Sequence, residues 1–153
     1  VDDMGSESGP FFSKEVYRKY FKQRHNRMWD FIHSKSNCKV FLHSCGSIYE
    51  FIPDLIDAGL DILNPVQFTA KDMQPEVLKR EFGKYLVFWG GCCDSREVLS
   101  SGTSESIIEH VKNNIEIFGK NGGLVFNQIH NIQPEVPAEN ILALFKAAEL
   151  YGS

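Results

Sequence analysis

The residues best suited to chemistry are His43 and Cys45, in the segment Phe41-Leu42-His43-Ser44-Cys45-Gly46. They put an imidazole and a thiol two residues apart, at the end of an apolar run that reads as a β-strand. Side chains two apart on an extended backbone point to the same side. A nitrogen and a sulfur at a strand's C-terminal mouth suit an open zinc site, with three protein ligands and one position left for substrate. The same pair is also compatible with a buried thiol beside a hydrogen-bonded histidine. His130, at another strand mouth, gives a third candidate ligand, and Cys93 competes with it for that place. A thiol coordinated in such a site gives up its proton outright.

Other polar residues gather at corresponding points of the chain: Asp2 and Asp3, Asn64 and Gln67, Cys92 to Asp94, and Gln128 to Asn131. Asp2 and Asp3 read either as a general acid and an anchor for cationic groups or as a solvated loop pair. His25, His33 and His110 fall on helical segments and read as surface residues, and Trp89 reads as core.

The elements that must position these groups alternate in type. After a polar, turn-rich start, Ser13 is the expected N-cap of a helix with Tyr17, Tyr20, Phe21, Arg24, Met28 and Ile32 on one stripe. Strands are expected at 39–43, 61–65, 85–89 and 124–127. The third is almost continuously apolar and reads as buried on both faces. Between them, helices are expected after Ser47 (stopped by Gly59), from Pro75, after Gly102-Thr103, and finally over Ile141, Leu144, Phe145 and Ala148. Strands alternating with amphipathic helices predict a parallel sheet covered by helices, an α/β fold. Four βα units are half of a (β/α)₈ TIM barrel, which takes about 250 residues. Residues 1–153 are therefore expected to form a C-terminal half-barrel. Its two unpaired strand edges call for self-association or for a missing N-terminal half. In such folds ligands bind at the C-terminal ends of the strands, where the polar residues above fall.

Composition narrows the function classes. The chain has 153 residues, 42% hydrophobic and 24% charged, with a net charge of -4. No cluster of basic and aromatic residues marks a nucleic-acid surface, and no apolar run is long enough to span a membrane. Four cysteines, at 38, 45, 92 and 93, lack the spacing of a secreted disulfide framework, so a reduced, cytoplasmic protein is expected.

The chain resembles the C-terminal half of the uroporphyrinogen decarboxylase superfamily. The resemblance rests on Asp2-Asp3-Met4-Gly5, His43-Ser44-Cys45-Gly46, the run from Asp57 to Gln67, Gly90-Gly91-Cys92-Cys93-Asp94, and the run from His130 to Pro137. It implies one of two chemistries. The corrinoid-linked methyltransferases of the superfamily carry His-x-Cys at this strand end and a late cysteine, all on zinc. His43 and Cys45 match the first two ligands, and His130 stands in the late position. On that resemblance the expected function is methyl transfer involving a corrinoid carrier on a partner protein. Zn²⁺ would sit on His43, Cys45 and His130, with Asp2, Asp3, Asn64, Gln67 and Asp94 around the substrate cavity. The alternatives are decarboxylation of uroporphyrinogen or another tetrapyrrole, with His130 contacting a substrate carboxylate, and a non-catalytic remnant of the fold.

Overall fold

The computed structural model describes residues 2–152. The polar start forms a small antiparallel hairpin, β1 (Gly5–Ser6) and β2 (Gly9–Pro10), paired Gly5 to Pro10. Ser13 is extended and accepts a hydrogen bond from the Val16 amide, which starts helix α1, Lys14–Tyr17. The helix then passes through a π-helical turn, Arg18–Lys22, and continues as α2, Gln23–Lys35.

That turn changes which face is buried. A π turn takes one residue more than an α turn, so the inward stripe slips by one position. Tyr17, His25 and Trp29 point into the core, while Phe21 and Met28, which simple 3.6-residue periodicity lines up with Tyr17, lie at the surface. The histidine expected on the surface at position 25 is therefore only 5% exposed. Arg18 and Lys22 both bind the buried carboxylate of Asp54, at 2.8 and 2.7 Å.

Four parallel strands follow: β3 (Phe41–His43), β4 (Ile62–Asn64), β5 (Val87–Trp89) and β6 (Leu124–Val125), side by side in chain order. The register pairs Leu42 with Leu63 and His43 with Asn64. The connections are right for a barrel segment: α3 (Ile52–Asp57), α4 (Pro75–Phe82), and the pair α5 (Val98–Ser101) and α6 (Ser104–Phe118), with α7 (Ala138–Tyr151) last. The architecture is half of a (β/α)₈ barrel. Thr103 caps α6 by accepting from the Ser106 amide, and Pro75 opens α4. Ser47 does not cap: it is buried, its amide donates to the Ser6 carbonyl, and α3 is entered through a 3₁₀ turn at Tyr49–Phe51 instead.

Alternation divides the sheet. Leu42, Leu63 and Phe88 face the helices and are buried in a core with Phe51, Ile52, Leu55 and Leu78. A second core joins Leu99, Ile107, Val111 and Leu144 beneath the loop after β5. The other face of the sheet carries Phe41, His43, Ile62, Asn64, Val87 and Trp89. Its apolar members are uncovered among the described residues: Phe41 is 46% and Trp89 37% exposed, packed edge-on at 5.3 Å. The expectation that β5 is buried on both faces and that Trp89 is core thus fails on this side. No helix among the described residues is long and apolar enough to cross a membrane.

Candidate metal centre

The site is assembled where β3 ends. His43 is the last residue of the strand, and its register partner Asn64 ends β4. Asn64 Nδ2 donates to the Trp89 carbonyl at 2.8 Å, which turns Oδ1 toward His43 Nδ1 at 2.7 Å. An amide oxygen can only accept, so Nδ1 carries the ring proton and Nε2 holds a bare lone pair. That lone pair faces Cys45 Sγ at 3.5 Å and Asp3 Oδ1 at 3.9 Å.

Asp3 is brought there by the hairpin. Gly46 has φ +82, a left-handed conformation suited to glycine, and a Cβ on it would overlap the Gly5 carbonyl. The two glycines therefore let β1 lie directly on the His43–Cys45 loop. The Ser47 amide donates to the Ser6 carbonyl, the Met4 amide to the buried Ser44 hydroxyl, and the Asp2 amide to the His43 carbonyl. The Cys45 amide donates to Asp3 Oδ1 at 2.9 Å. As a result, Asp3, His43 and Cys45 each offer a ligand atom, all within 4.8 Å of one another.

The donor set fits zinc. It offers oxygen, nitrogen and sulfur, each a ligand zinc accepts, and the carboxylate and thiolate together balance a divalent charge. Burial pushes the Cys45 thiol up, the Asp3 carboxylate adds to that, and Arg96 opposes it. A cation at the site would reverse this balance.

A cavity of about 370 Å³ opens beside the three residues. Its walls include Asp3, Cys45, Gln67, Asp94, Arg96 and His130. Gln67 Oε1 accepts the Gly46 amide at 2.8 Å, so it also holds the loop. Asp94 is buried and accepts the amides of Arg96 and Glu97, turning the chain into α5. Arg96 reaches across to Glu7 at the tip of the hairpin.

The structure thus brings together His43, Cys45, Asp3, Gln67 and Asp94. Asn64 supports His43 from beneath instead of lining the cavity. His130 is exposed on the cavity wall and is not among the three residues whose ligand atoms are grouped; Asp3 is the third of these. Cys93, the other candidate, is fully buried in the second core, its thiol donating to the Asp94 carbonyl, and burial pushes it up to about 12. All four cysteines are free. Two histidines expected at the surface are not there. His110 is half-buried and its Nε2 accepts from the Asp94 amide and the Asn114 side chain. His25 is enclosed between Tyr17 and Trp29, and burial lowers its pKa while Asp2 opposes the shift.

The family model described as "Uroporphyrinogen decarboxylase (URO-D)" matches residues 1–151. Among solved structures, a methyltransferase from Methanosarcina mazei is similar with a TM-score of 0.73 and 23% sequence identity. The alignment covers 97% of this chain and 41% of that one, so the chain spans less than half the length of its structural neighbour. At that identity the likeness is one of fold. A comparison with curated protein sequences returns no match.

Proposed function

We propose, for a chain that belongs to the uroporphyrinogen decarboxylase family, that it contributes the metal-binding half of a zinc-dependent methyltransferase that works with a corrinoid carried by a partner protein. The observation that supports this most is the grouping of Asp3, His43 and Cys45 around the bare Nε2 of a histidine whose tautomer is fixed by Asn64. Ligating histidines are commonly oriented in this way through their other nitrogen. The likeness in fold to a methyltransferase agrees with the reading.

Zinc held by these three residues would keep a thiol substrate in its thiolate form, the nucleophile that methyl transfer needs. The chain's own groups then have separate tasks. Asn64 fixes the His43 ring, and Gln67 and Gly46 hold the loop that carries Cys45. His130, exposed on the same cavity wall, can take the proton that the thiol releases. Asp94 shapes the far side of the cavity by anchoring the turn into α5.

Metal analysis of protein purified without chelator tests the proposal. About one zinc per chain is expected, with loss of the metal in Cys45→Ser. A chain that takes up no zinc, together with uroporphyrinogen decarboxylation that is indifferent to Cys45→Ser, would replace this reading with the decarboxylase one.

A further inference from the structure

Behind the metal centre lies a hydrogen-bonded chain that the chemistry above does not use. Tyr17 is fully buried and its hydroxyl lies 2.9 Å from His25 Nδ1. On the other side of the ring, His25 Nε2 lies 3.4 Å from Asp2 Oδ2. A carboxylate only accepts, so Nε2 carries the proton and donates to Asp2, and Nδ1 accepts from the Tyr17 hydroxyl. The ring is stacked on Trp29 at 4.5 Å with planes 11° apart, which leaves it little freedom to turn. The chain ends in a buried tyrosine, which makes it an anchor for Asp2.

What it anchors is the residue next to a ligand. Asp2 is held twice, by its amide on the His43 carbonyl and by its carboxylate on His25. Asp3 follows directly; its side chain is 52% exposed, and the Cys45 amide on Oδ1 is the hydrogen bond that orients it, so the course of the backbone at Asp2 decides whether it reaches the site. The π turn at Arg18–Lys22 is what rotates His25 into reach.

We propose that His25, backed by Tyr17, is a positioning residue of the metal centre: by holding Asp2 it presents the Asp3 carboxylate to His43 and Cys45. This rests on the metal reading above, and the test separates the two. Cobalt(II), which reports its ligands through its visible absorption, is titrated into the intact chain and its variants. His25→Phe keeps the stack on Trp29 and removes the donor. It should bind cobalt about tenfold more weakly, in the range expected for residues that orient a ligand. Its spectrum should match that of Asp3→Asn. The double variant should bind no more weakly than Asp3→Asn alone, because both changes remove one interaction. His25→Gln, which keeps an amide donor, should recover most of the affinity. Wild-type affinity in His25→Phe, or a loss that adds in full to that of Asp3→Asn, overturns the proposal. Should His25→Phe fail to fold, Tyr17→Phe removes only the hydroxyl. About a threefold loss is then expected, the size of one hydrogen bond, and unchanged affinity overturns the proposal. A wild-type chain that binds no cobalt overturns the metal reading, and this inference with it, before any variant is made.

Discussion

His43 and Asn64 stand in register on neighbouring parallel strands, and the 2.7 Å hydrogen bond between them leaves Nε2 as the bare nitrogen of the imidazole. Asn64 is itself fixed by its bond to the Trp89 carbonyl, so three strands cooperate in setting one tautomer. Replacing Asn64 by Leu should lower metal affinity by about 10- to 100-fold with little change in the circular dichroism spectrum. Competition titration against a chromophoric zinc chelator measures it.

Metal uptake should depend on pH. The Cys45 thiol is pushed up by burial and by Asp3, so in the absence of metal it holds its proton at neutral pH. Binding must release that proton. Apparent zinc affinity should therefore rise about tenfold per pH unit below the thiol's own titration, and calorimetry in buffers of different ionisation heat should detect the proton released. Cys45→Ser should abolish this slope along with the tight binding.

Acid should weaken the fold in two stages. His25 and His110 are both lowered below the ordinary 6.5, chiefly by burial. A histidine lowered in the folded state takes its proton more readily when unfolded, so the stability it contributes is present above 6.5 and lost as pH falls below it. Asp54 is raised by burial, but its bonds to Lys22 and Arg18 outweigh that and leave it below the ordinary 3.8. Its contribution is present above 3.8 and lost as pH falls through its lower folded value. Urea denaturation at a series of pH values should show a first decline below about 6.5 and a second below about 4.

The pair of ties on Asp54 should also be visible by mutation. Asp54→Ala leaves Lys22 without its buried partner, and it frees the π turn. A loss of about 2 kcal/mol is expected, less than for a fully buried pair because Arg18 reaches solvent. Thermal unfolding measures the loss.

The uncovered sheet face should make the chain associate. Phe41 and Trp89 form an exposed aromatic contact on a sheet whose outer strands, β3 and β6, pair with no further strand among the described residues. Size-exclusion chromatography should show species larger than a 17.4 kDa monomer, and Trp89→Lys should shift the population toward the monomer.

Features governed by neighbouring residues were legible in the sequence. Ser13, Thr103, Pro75 and Gly59 bound their helices as their chemistry predicts, and the four strands lie where the apolar runs put them. His43 and Cys45 meet because strand periodicity and one turn suffice to bring them together. Features set at long range were not legible. Asp3 sits beside His43 and Cys45 because two glycines, Gly5 and Gly46, allow a hairpin to lie on a loop about 40 residues away. A carboxylate in a polar loop carries no local sign of that. The buried faces of α1 and α2 escaped periodicity because the π turn answers to Asp54, far off in the chain. His25 looked like a surface histidine for the same reason.

That turn gives the Arg18–Lys22 segment an unusual kind of constraint. Its side chains largely face solvent, and the turn takes up one residue more than a regular helix needs to present the same downstream face. Deleting one residue there would restore a regular α-helix with His25 and Trp29 still facing inward, whereas adding one, or straightening the turn at its present length, would rotate everything downstream by about 100° and swing them outward. The segment should thus accept many substitutions and the loss of one residue, and reject a further insertion. In a line of descent, it would be recognised by two lengths one residue apart, the longer with the π turn and the shorter without it.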